Sequence, residues 1–63
     1  MIDGKKIRRL RQDMELSQAK LAAAAGLSQT TISRAERSSI NLTMDKLDRI
    51  AGALGVEPGE LLK

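Results

Sequence analysis

Gln29, Thr30, Ser33, Arg34 and Arg37 fall at i, i+1, i+4, i+5 and i+8 of one short segment. On an α-helix that spacing gathers them on one face, an arc of about 140° at roughly 100° per residue. All five carry hydrogen-bonding groups. An amide at Gln29 can pair with adenine N6 and N7 together. A guanidinium at Arg34 fits either guanine O6 and N7 or a backbone phosphate, and Thr30 either meets a thymine methyl or makes no contact. The chemistry available here is recognition rather than bond making. The chain has no His and no Cys, which removes thiolate chemistry, disulfides, the usual zinc sites and the commonest general base. No nucleophile–base pair, acidic metal cluster or phosphate-cradling glycine loop replaces them, so neither an enzyme nor a metal or cofactor site is expected.

Such a face is useful only if a second element holds it out to solvent. Ser17 and Ser28 each stand where an N-cap belongs, with a hydroxyl able to accept from first-turn backbone N–H groups. Gly26 stands where the first of the two helices must stop, at a position suited to positive φ. The joint is therefore three residues, Gly26-Leu27-Ser28, the length and composition of a DNA-binding helix-turn-helix. Steeply crossing helices need small or apolar contacts, and Leu21, Ala22, Ala25, Leu27, Ile32 and Ala35 supply them. An ordinary helical hairpin inside a bundle is the competing reading of the same pattern.

The rest of the chain reads as further helix, and the 63 residues as one all-α domain of five helices, 1–63. Helix 1 is expected from about Lys5 to Met14, capped by Asp3, with Ile7, Leu10 and Met14 as its apolar stripe. Helix 2 is expected over Gln18–Ala25 and helix 3 over Gln29–Arg37. Thr43 caps helix 4, which runs to about Leu54 and is stopped by Gly55. Pro58 opens a short helix 5 with Leu61 and Leu62. Met14, Leu16, Leu47, Ile50 and Leu54 are expected in the core. That core must be aliphatic, because Phe, Tyr and Trp are absent. It must also be thin, since so short a chain buries only about 60% of its unfolded surface. No strand pattern is visible.

Charge is unevenly distributed. Residues 1–37 hold eight cations against four carboxylates, a balance of +4, and residues 38–63 hold three against four, a balance of −1. The positive part contains the two-helix motif, which suits a polyanionic partner. Lys5, Lys6, Arg8 and Arg9 also fit a plain solvated face. No segment approaches the roughly 18 apolar residues of a membrane span, and the N-terminus lacks a secretory apolar stretch. The expected location is cytoplasmic.

The stretches IRRLRQDMELSQAKLAAAAGLSQTTISRAER and NLTMDKLDRIAGALGVEPGELL together resemble the Cro and cI-type phage repressor domains and their bacterial relatives, the XRE family. The resemblance implies a compact, lambda-repressor-like five-helix fold. It also implies binding to double-stranded DNA as a dimer on a palindromic operator, with half-sites about 34 Å apart. Carried over by position, Gln29, Thr30, Ser33 and Arg34 face the major groove. Gln18 holds a phosphate and braces the recognition helix, while Arg11 and Glu36 form a salt bridge between helices 1 and 3. Glu15 and Ser38 stand where the family often has Gly. Leu42 replaces a frequent Pro, and the loop lacks the family's cations at Ser39 or Ile40. Phosphate contact by the 38–42 loop then rests on Ser38, Ser39, Asn41 and backbone N–H groups, with Arg37 at the end of helix 3 as a further phosphate contact. Val56, Glu57, Pro58, Leu61 and Leu62 are the candidate dimer contact. Exposure of Ile40 and Leu42 would instead suit a protein-interaction module, such as an antitoxin or a bridging factor.

Overall fold

The computed structural model describes all residues, 1–63. Four α-helices and one 3-10 turn follow in order: α1 (Gly4–Asp13), α2 (Gln18–Ala25), α3 (Gln29–Glu36), α4 (Met44–Leu54) and the turn Pro58–Leu61. Each α-helix begins on a side-chain cap. Asp3 accepts from the Lys6 N–H, Ser17 from Lys20, Ser28 from Thr31 and Thr43 from Lys46, at 3.0–3.3 Å. These bonds satisfy donors that have no partner within the helix.

All four helices end the same way. Leu16, Leu27, Ser39 and Val56 donate their N–H groups back to the carbonyls of Arg11, Ala22, Arg34 and Ala51, five residues earlier. This is the paired-bond terminus that places one residue in the left-handed region. Gly26 and Gly55 occupy that place in α2 and α4, with φ of 69° and 72°. Glu15 and Ser38 occupy it after α1 and α3, with φ of 57° and 54°. The two positions where the related family often has glycine are thus the two where this chain holds an L-residue against its steric preference.

Twelve apolar residues form one core, with Ile7, Leu21, Ile32, Ile50 and Leu61 among the fully buried. Each such side chain contributes about 1.5–3 kcal/mol by leaving water. α2 packs on both α3 and α4, and α1 packs on α3 and the 3-10 turn. α1 meets α3 backbone to backbone at Gly4, where an added Cβ would lie 2.4 Å from the Glu36 carbonyl oxygen.

Several expectations are corrected. Met14 is 47% exposed, because α1 ends at Asp13 and Met14 already turns away as the C-cap. Leu16 is half-buried, not a core residue. The fifth helix is a single 3-10 turn, after which Leu62 becomes extended and pairs with Ile2 in an antiparallel β-bridge. That pairing buries Ile2, which joins the core. Leu42 is also half-buried and packed on the core. It precedes the Thr43 cap, the place from which an apolar residue folds back over its helix, and Ile40 is half-buried as well.

Candidate nucleic-acid interface

α3 turns Ile32, Ala35 and Glu36 inward and leaves Gln29, Thr30, Arg34 and Arg37 exposed, with Ser33 half-buried at the edge. The helix has eight residues, and an α-helix with its side chains is about 10–12 Å across, which fits the roughly 12 Å width of a B-DNA major groove. Two ion pairs exist in the chain, Arg11–Glu36 and Arg49–Asp45. Arg34 and Arg37 belong to neither, so both guanidinium groups remain available to an anion.

Gln18 opens α2 directly after the Ser17 cap. Its side chain is not free: Nε2 donates to Glu36 Oε1 at 3.2 Å. Arg11 donates from Nε to Glu36 Oε2 at 2.5 Å and from Nη2 to Oε1 at 3.1 Å, and its Nη1 donates to the Leu16 carbonyl at 2.7 Å. The Arg11 and Glu36 side chains are 11% and 4% exposed. A pair so enclosed gains little net over apolar groups, but removing one partner is costly. The Gln18–Glu36 bond joins residues that sequence reasoning treated separately. The two lie at the ends of α2 and α3 that are remote from the Gly26-Leu27-Ser28 turn, 18 residues apart, so no spacing in the sequence announces the bond.

After α3, Ser39 and Asn41 are exposed, and the Ser39 hydroxyl donates to the Arg34 carbonyl at 3.1 Å. Ser38 Oγ accepts from the Gly4 N–H at 3.1 Å and donates to the Ile2 carbonyl at 3.4 Å, so its hydroxyl is committed to the fold. At the far end, Val56 and Pro58 are half-buried, Glu57 is exposed, and Leu62 is 40% exposed. Leu61 is 0% exposed and has no surface to offer a second copy. Leu61 therefore drops out of the candidate dimer contact, because the extended backbone at Leu62 sends the two leucines opposite ways. No helix is long and apolar enough to cross a membrane.

Two eight-residue helices joined by Gly26-Leu27-Ser28, with the second presenting a polar face over an apolar support, define a helix-turn-helix domain. The chain belongs to the Helix-turn-helix family, whose model matches residues 7–61. It is similar to Control protein C.BamHI of Bacillus amyloliquefaciens, 40% identical over 63 residues, covering 98% of this chain and 78% of that protein. Among solved structures it is similar to the restriction-modification controller protein C.AhdI from Aeromonas hydrophila. That match has a TM-score of 0.88 at 36% identity and covers 94% of this chain and 89% of the other. It is also similar to the P22 c2 repressor in complex with a synthetic operator, at a TM-score of 0.93 and 33% identity, covering 100% of this chain and 96% of that one.

Proposed function

We propose that this chain is a transcriptional regulator that binds double-stranded DNA sequence-specifically, with α3 in the major groove. The observation that carries the reading is the solvent face of α3. Gln29, Thr30, Ser33 and Arg34 stand on the side opposite Ile32 and Ala35, which are buried against the core. The likeness to a repressor held on its operator supports the same placement. In this reading Gln29, Thr30, Ser33 and Arg34 meet base edges, and Gln18, Arg37, Ser39 and Asn41 meet phosphates. The exposed parts of Val56, Glu57, Pro58 and Leu62 bring two copies together on a palindromic operator. The 63 residues act as one binding domain, not as an enzyme, and work in the cytoplasm.

The test is a titration of duplex DNA at several salt concentrations, followed by selection of bound sequences from a random pool. With about 4 to 6 phosphates neutralised per copy, log K should fall against log salt with a slope of about −4 to −5. The pool should converge on one inverted repeat. Salt-independent binding, or a pool with no enriched sequence, would refute the proposal.

A further inference from the structure

Glu36 accepts more bonds than an ion pair requires. Its Oε2 takes Arg11 Nε, and its Oε1 takes both Arg11 Nη2 and Gln18 Nε2. A carboxylate can only accept, whereas a glutamine amide offers two hydrogens on nitrogen and lone pairs on oxygen. Glu36 therefore selects one of the two amide orientations of Gln18. The reverse would set oxygen against oxygen in a site where the Glu36 side chain is 4% exposed. The 3.2 Å bond uses one Nε2 hydrogen, and the second has no partner within the chain.

We propose that Glu36 is a positioning residue for DNA binding: it locks the Gln18 amide so that its remaining N–H is aimed, before any DNA arrives, at a backbone phosphate beside the start of α2. The inference rests on the reading of Gln18 as a phosphate contact. Arg11 is the necessary third member. A bare carboxylate beneath a phosphate would repel it, and the two-pronged guanidinium cancels that charge. The remaining Arg11 donor holds the Leu16 carbonyl, two residues before Gln18, so the same network fixes where α2 begins relative to the end of α3. A donor frozen in advance loses less freedom on binding than one that must be ordered by the ligand. Because a phosphate carries no sequence information, Glu36 acts on affinity for any duplex.

The experiment compares the full chain with E36M, which has no oxygen to accept from Gln18, Q18A and the double variant on a random-sequence duplex at one salt concentration. Each is held at a temperature where circular dichroism shows it folded. Each single change should weaken binding about five- to tenfold, the usual net worth of one hydrogen bond. The double should be no more than about twofold weaker than the poorer single, since both changes remove the same contact. Losses that multiply would overturn the proposal and assign Glu36 a role in stability alone. An inert Q18A, with the parent chain still binding DNA, would overturn it while leaving the proposed function intact. A parent chain that binds no duplex would overturn both. If E36M does not fold, side-chain amide NMR of the parent chain decides. The Gln18 NH2 pair should be displaced from those of the exposed Gln12 and Gln29. Coincidence with them would overturn the proposal.

Discussion

Replacing Glu15 by glycine should stabilise this protein. Glu15 has φ of 57° at the end of α1, where its N–H donates to the Gln12 carbonyl at 2.9 Å and Leu16 donates to Arg11 at 3.1 Å. An L-residue in that region costs about 1–2 kcal/mol relative to its preferred conformation. Glycine removes the penalty but brings extra freedom to the unfolded chain, a loss of about 0.5–1 kcal/mol. The net gain is about 0.5–1 kcal/mol. In a domain of this size that raises the Tm by about 4–8 °C. The Glu15 side chain is exposed and makes neither a hydrogen bond nor an ion pair, so nothing in the fold offsets the gain. Its charge also lies at the negative end of the α1 dipole, which adds a second, salt-sensitive contribution of the same sign. Glu15→Gln separates the two. Thermal denaturation should rank glycine above glutamine above the parent at low salt, and at high salt only glycine should keep its advantage. Ser38→Gly is the internal contrast. It relieves φ of 54° but deletes the bonds from Gly4 and to Ile2, each worth about 1 kcal/mol, and should be neutral or destabilising. A Glu15→Gly protein no more stable than the parent would refute the steric argument.

Glu36→Ala leaves the Arg11 guanidinium enclosed with only the Leu16 carbonyl, and should cost about 3 kcal/mol in urea denaturation; a loss below about 0.5 kcal/mol would mean that the pair carries no stability. Gly4→Ala places a methyl group 2.4 Å from the Glu36 carbonyl oxygen and should destabilise by about 1–3 kcal/mol as α1 is pushed off α3. Gly59→Ala, whose added methyl meets nothing within 4 Å, should stay within about 0.5 kcal/mol in the same assay. Gln29→Ala should lose about 1–3 kcal/mol on the preferred operator and little on a scrambled duplex, measured at one salt concentration; equal losses on both would remove α3 as the reading element.

The contrast between Ser17 and Ile2 explains what could be read from the sequence. A cap is a local event: Ser17, Ser28 and Thr43 bond a backbone group three residues away, so the residue type alone places the helix start. Gly26 marks an end for the same reason, and α2 runs over Gln18–Ala25, the range its flanking residues imply. Ile2 has no such neighbour. It is buried because Leu62, sixty residues later, pairs with it, and no periodicity within three residues announces a bridge between chain ends. Leu61 and Met14 depart from the sequence reading for two different reasons. Leu61 is drawn under the surface where the Asp3 N–H bonds its carbonyl at 2.8 Å, fifty-eight residues away; Met14 is exposed because α1 ends one residue before it, at a terminus whose bonds are local. The recognition face lies between these cases. Its members share one helix, so the 3.6-residue repeat gathers Gln29, Thr30, Ser33 and Arg34 without reference to the rest of the fold. What holds that face in place, the link from Arg11 through Glu36 to Gln18, draws one residue from each of three helices. Position in a family pattern could name its members. The resemblance also pairs Arg11 with Glu36 and braces α3 with Gln18; packing adds that the brace is a bond to Glu36 itself, which joins the three into one network.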